Sequence, residues 1–259
     1  MAINWEIAQI QLMAYMLVFC RMAGVVLFNP LLSRRNIPVR FSSALCLCLS
    51  IVVTPLVAGT IGAVDSPFYL LGAVSSELLV GLVWGLIFQT FYYLLFMAGD
   101  AIDMGMGLSM AKVFDSSTNI QMSVSGNLFN LFFVMFIFAT NSHLSLIRLA
   151  VSSYSIIGVG GAVMSARLGG FIVEMFLQVI SLVIKLCLPF LAATFTVEIA
   201  MGILMKLVPQ INVFSIHFQA KVIMGLILLY AFAVPVGNYI DNYITIMYRE
   251  MGRALFIMI

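Results

Sequence analysis

Charge is what this sequence lacks. Only 8% of its 259 residues are charged and 63% fall in the hydrophobic set, whereas an ordinary soluble domain is roughly one quarter charged. A water-facing surface of the usual kind is therefore excluded. Twelve Lys and Arg against ten Asp and Glu leave a net charge of +2. With no run of like charge, neither a nucleic-acid groove nor a charged tail is expected. Cysteine is sparse: Cys20, Cys46, Cys48 and Cys187 all lie in apolar stretches. Cys46 and Cys48 form a C-x-C pair whose members point to opposite helix faces. They read as small buried hydrophobes, not as a metal or redox site. His143 and His217 have no neighbouring ligands at helical spacing, so no metal is expected. Enzyme motifs are missing as well, with no G-x-S-x-G, H-E-x-x-H or phosphate-binding glycine pattern. Gly105-Met106-Gly107 lacks a third glycine and a preceding strand, and reads as close helix packing. Neither catalysis nor a cofactor is expected of such a chain.

What is present is a series of apolar stretches of about 20 residues or more, each able to cross ~30 Å of hydrocarbon as a helix. The expected class is an all-α membrane protein. Met1 to Glu6 lacks the basic region of a secretory signal, so the first helix is expected to remain in the mature protein. That helix runs from about Ile7 to Phe28 and stops at Asn29-Pro30. The link Ser33 to Arg40 carries Arg34, Arg35 and Arg40 and no acid, which assigns it to the cytoplasmic side and the amino terminus to the outside. A second segment, about Phe41 to Val64, leads to a run from Phe68 to Ala111 with no proline. As one helix that run would measure roughly 66 Å at ~1.5 Å per residue. It is expected to project beyond the bilayer or to break near Gly99, Gly105 and Gly107. A polar interval, Lys112 to Asn127, reads as an ordered loop or re-entrant segment. Leu128 to Ile157 is apolar but interrupted at Asn141-Ser142-His143 and Arg148, and ends at Gly158, Gly160 and Gly161. From Ala166 to about Tyr248 the pattern is one long helical hairpin, kinked at Pro189 and tipped by Pro209-Gln210-Ile211-Asn212. Lys206 and Lys221 flank the tip and place it in the cytoplasm. The mildly basic carboxyl end conflicts with the even number of crossings this implies.

Ionisable residues inside apolar segments are costly and mark a pathway, a pair or a helix end. Here they are Arg21, Glu77, Asp100, Asp103, Glu174, Lys185 and Glu198. Asp100 and Asp103, at i and i+3, would share a helix face suited to a cation or proton. The competing reading is an exposed helix end. Among 18 methionines, Met97, Met104, Met106, Met110 and Met122 crowd around the polar interval together with Phe114. Flexible thioethers fill gaps in cores, and they also suit a deformable seal around a passage.

These motifs resemble the FliR family, export-gate subunits of bacterial flagellar type III secretion, and its injectisome counterparts. The likeness covers nearly the whole chain. It is carried by Arg21-Met22 to Pro30, Arg34-Arg35-Asn36-Ile37-Pro38, Glu77 to Gly81, and Gly99-Asp100-Ala101-Ile102-Asp103 through Met106-Gly107-Leu108-Ser109 to Phe114-Asp115. Its most specific stretch is Lys206-Leu207-Val208-Pro209-Gln210-Ile211-Asn212-Val213-Phe214. Ser116 stands where relatives often have Pro, and Ser142 where they often have Gly.

The resemblance implies one copy of this chain joined to several copies of FliP and FliQ in a pore-forming assembly of the bacterial inner membrane, within the flagellar basal body. It implies bent and broken hairpins, FliP-like over 1–162 and FliQ-like over 163–259. About Met106 to Gln121 would plug the pore, with Met106, Met110, Val113 and Phe114 at the closed constriction. The tip with Pro209, Gln210, Asn212 and Phe214 would contact FlhB, with FlhA a further neighbour. Unfolded export substrates would pass through the channel. Two other readings stay open: an ion- or proton-coupled transporter using Glu77, Asp100, Asp103 or Glu174, and a structural nucleus that templates assembly without lining the pore.

Overall fold

The computed structural model describes residues 5–31, 38–57, 67–109, 123–163, 165–208 and 213–259. Among them there is no strand. The helices are α1 (Trp5–Leu27), α2 (Val39–Val57), α3 (Pro67–Gly105), α4 (Val124–Ala139), α5 (Ser142–Ile156), α6 (Ala166–Leu207), α7 (Val213–Ala231) and α8 (Ala233–Ile257). The chain is an all-α membrane protein. Among the described residues three helices, α2, α3 and α6, are long and apolar enough to cross a membrane, or up to five spans if each bent pair counts as one.

The breaks have local causes. The α4–α5 pair is bent by 70°, and Asn141 at the corner takes a left-handed φ of 56°. Asparagine tolerates that region better than most residues. This is the interruption expected at Asn141-Ser142-His143. The α7–α8 pair is bent by 62°, a break in the return arm of the hairpin whose position the sequence pattern left unassigned. Pro235 explains it: proline offers no N–H to the carbonyl of Ala231 four residues earlier, and its ring crowds that carbonyl. In its place the helix restarts, with Val236 N–H donating to Phe232 O at 2.8 Å. Within α6, by contrast, the helix continues through Pro189.

The overlong run breaks at Gly105 and Gly107 as expected, but not at Gly99. α3 stays helical through Gly99 and ends at Gly105, so Gly99 is not a breaker. A Cβ at Gly99 would run into the backbone of Ser125 and Gly126, so this glycine lets α4 approach α3 closely. The turn comes after Gly105, and Gly107 takes a positive φ of 77°.

The chain packs as two units, each discontinuous in sequence. The first comprises 1–91, 138–176 and 246–259; the second comprises 92–137 and 177–245. In the first, α1 and α3 cross at glycines: a Cβ at Gly81 would lie 2.6 Å from Arg21 O and 2.7 Å from Gly24 Cα. Trp84, fully buried, donates its indole N–H to Met251 O at 3.0 Å and so ties α3 to α8. In the second, Tyr239 of α8 donates to Leu182 O of α6 at 2.6 Å, and Phe190 of α6 packs on Phe232. These units mark a different division from the one expected at 162/163, which rests on likeness to two partner families.

Candidate functional site

Three carboxylates are fully buried among the described residues: Glu250 pairs with Arg249 and Arg253 of its own helix, whereas Glu77 and Asp103, one in each unit, tie separate elements together. In the first unit, Glu77 on α3 meets Arg21 on α1 with both side chains fully buried. Arg21 Nε donates to Glu77 Oε2 at 2.5 Å and Nη2 to Oε1 at 2.9 Å. This is the two-pronged geometry that a planar guanidinium offers a carboxylate. The remaining donors find Ser153 Oγ at 2.9 Å and Ile157 O at 3.3 Å. The Tyr154 ring lies 4.0 Å from the guanidinium carbon, a cation–π contact. Glu77 Oε1 also accepts from Gly160 N–H at 2.7 Å. Gly160 has φ +74°, and a Cβ there would come within 2.9 Å of Ala73 Cβ. One ion pair therefore joins α1, α3, α5 and the glycine turn after α5.

A carboxylate held this way is a poor ion carrier. Its two oxygens are engaged by a permanently charged guanidinium and a backbone N–H, so binding a transported cation or proton would require breaking the pair. The arrangement serves cohesion, because leaving either charge alone in an apolar interior is expensive.

In the second unit, Asp103 is fully buried. It accepts from Ser123 Oγ at 2.7 Å, Val124 N–H at 2.7 Å and Ser125 N–H at 3.2 Å. Ser123 Oγ in turn accepts from Gly126 N–H at 2.9 Å. The first backbone N–H groups of α4, which have no partner within the helix, are thus satisfied by a serine cap and by a carboxylate from the end of α3. A negative charge at a helix amino terminus is also favoured by the helix dipole. Asp103 is not at an exposed helix end. Asp100, three residues earlier, is half-buried.

Of the residues expected to form the plug, Met106 is buried at the end of α3. It fills the notch at Gly225 of α7, where a Cβ would run into the Met106 side chain. Met110, Val113 and Phe114 lie outside the described residues, as do Pro209, Gln210 and Asn212 of the tip. Phe214 belongs to α7, but its side chain lies outside them too. The Asp103 carboxylate sits where the segment containing the expected plug departs from α3 and rejoins at α4.

The sequence singled out Arg21 and Glu77 as intramembrane charges without pairing them. They are 56 residues apart, and no local spacing links them. It also missed Ser123 as a helix cap, although a serine just before the apolar run of α4 is the ordinary signal for one.

Fold and site together define a polytopic helical membrane protein whose buried charges are structural ties. The family described as "Bacterial export proteins, family 1" matches residues 12–247, and the chain belongs to that family. It is 31% identical over 218 residues to the flagellar biosynthetic protein FliR of Caulobacter vibrioides, covering 82% of this chain and 85% of that one. It is 26% identical over 245 residues to the FliR of Bacillus subtilis, covering 93% and 94%. It is also 24% identical over 237 residues to the Yop proteins translocation protein T of Yersinia pestis, covering 90% and 91%. The chain is therefore a membrane subunit of a type III protein-export apparatus. Its family consists of components of that apparatus and is not a known family of enzymes.

Proposed function

We propose that this chain is a subunit of the export gate in the bacterial inner membrane, where with FliP and FliQ it walls the channel crossed by unfolded export substrates. Residues 1–162 act as a FliP-like part and 163–259 as a FliQ-like hairpin. The stretch from Met106 to Gln121 supplies a plug, with Met106, Met110, Val113 and Phe114 forming an apolar seal against ion leakage. The observation that carries this reading is the Asp103 clamp: the end of α3 and the start of α4 are fastened together, so the intervening stretch is anchored at both ends. An apolar constriction excludes water and ions without any chemistry. The transporter reading loses two of its four acids, since Glu77 is locked to Arg21 and Asp103 is taken up by the start of α4.

The test is electrical. Replacing Phe114, Met110 and Val113 with alanine should raise ion conductance through the reconstituted gate while leaving its assembly intact; unchanged conductance sinks the plug assignment. The tip, with Pro209, Gln210, Asn212 and Phe214, contacts FlhB in this reading, with FlhA as a further neighbour. Gln210→Ala with Asn212→Ala should therefore reduce co-purification of FlhB without releasing FliP or FliQ.

A further inference from the structure

α6 is 42 residues long, and Lys185 sits near its middle, roughly 30 Å from each end at ~1.5 Å per residue. The lysine is exposed. Its side chain makes no ion pair or hydrogen bond among the described residues. The acids of its own helix are distant: Glu174 lies about 16 Å and Glu198 about 20 Å along the axis, and Glu198 is paired with Lys221. On α8, Asp241 is exposed and its carboxylate is likewise without an ion pair, two residues from the Tyr239 that bonds to α6.

Four environments could face Lys185, and its neighbours discriminate among them. Water is a poor match, because Leu177, Ile184 and Leu188, each more than half exposed, surround it on the helix surface. Such a run of large aliphatics is unfavourable against water. Hydrocarbon is a poor match, because a bare ammonium in lipid is costly. A headgroup boundary would make the helix polar on one side of the lysine. Exposed apolar side chains instead continue on both sides, with Val173 and Leu177 before it and Leu188, Phe195 and Ile199 after it. Another helix fits all three facts: it would cover the aliphatics, accept close approach over the exposed Ser181, and neutralise the ammonium with a carboxylate.

We propose that the α6 face around Ser181, Lys185 and Leu188 is a docking surface for an apolar helix of another membrane component of the apparatus, one that presents an Asp or Glu to Lys185. This rests on the reading of the chain as one subunit of a multi-component gate. It adds the surface and the chemistry of the partner.

The experiment is in-cell photo-crosslinking from a reactive amino acid at Ser181, with the whole apparatus expressed. The expected product joins this chain to a membrane protein carrying a carboxylate within one helical turn of the linked residue. Lys185→Glu should cut its yield by roughly tenfold or more, since breaking a desolvated charge pair costs at least that much. Lys185→Arg should preserve the yield, and reversing the partner's acid to lysine should restore it in the Lys185→Glu background. Adducts to lipid alone, or a yield unchanged in Lys185→Glu, would overturn the docking surface while the chain still co-purifies with the apparatus. Failure of the unsubstituted chain to co-purify at all would overturn the gate reading on which it rests.

Discussion

At the scale of single residues, the Arg21–Glu77 pair separates cohesion from transport. Glu77→Gln keeps the shape of the side chain but strands a guanidinium with no carboxylate, and removing one member of a buried pair typically costs ~3–5 kcal/mol. Gly160 N–H retains an amide oxygen as a possible acceptor, so the loss falls on the charge. Replacing both members by methionine removes the stranded charge and should recover most of that stability, because Arg21 and Glu77 are otherwise enclosed by α1, α3 and α5. Thermal unfolding of the detergent-solubilised protein reads both variants. A double variant as unstable as Glu77→Gln would mean that the cost lies in packing and not in charge. Glycines divide in the same way. Gly99→Ala forces a Cβ into the α4 backbone and should cost about 1–3 kcal/mol as overpacking. Gly202→Ala meets nothing within 4 Å and should stabilise α6 by a few tenths to ~1 kcal/mol, the helix propensity difference.

At the scale of elements, Asp103 acts on a whole helix end. Asp103→Ala leaves Val124 and Ser125 N–H without their acceptor, a loss comparable to deleting a helix cap, ~1–2 kcal/mol. The effect should be local. Amide hydrogen exchange should accelerate in the first turn of α4 and remain unchanged in α6, and uniform acceleration would show that Asp103 supports the fold globally. This scale also shows what the sequence could tell. Long apolar runs mark α1, α3 and α6 because length and hydropathy are local properties. The corner at Asn141 was legible as polar punctuation. The corner at Phe232 was not, because it lies in the uniformly apolar run Ala231-Phe232-Ala233-Val234, and Pro235 was the signal available. Gly99 was read as a break because a glycine's packing role depends on which helix lies across from it, and Gly126 is 27 residues away. The ties at Arg21–Glu77 and Asp103–Ser123 are likewise long-range, so a single sequence lists the charges without naming the partners.

At the scale of the whole molecule, the question is what covers the apolar surface. Only 28% of the most apolar stretch of α6 is buried within the chain, and residues such as Phe195, Ile199 and Ile203 are more than half exposed. Lipid can cover aliphatic side chains, but the mixture on this helix, with Lys185, Ser181 and Thr196 also exposed, suits lipid poorly. A protein that functions alone would bury such residues internally, as this chain does with Arg21, Glu77 and Asp103. Leaving them outside is the pattern of a subunit. Expressed alone, the chain should then elute as aggregates in detergent and melt at low temperature; co-expressed with the other apparatus components, it should elute as one defined complex. The gain follows from mass action, since a partner present at a hundredfold above its dissociation constant stabilises the bound chain by ~2.7 kcal/mol. A self-sufficient transporter makes the opposite prediction: a monodisperse species on its own, with a melting temperature indifferent to the partners.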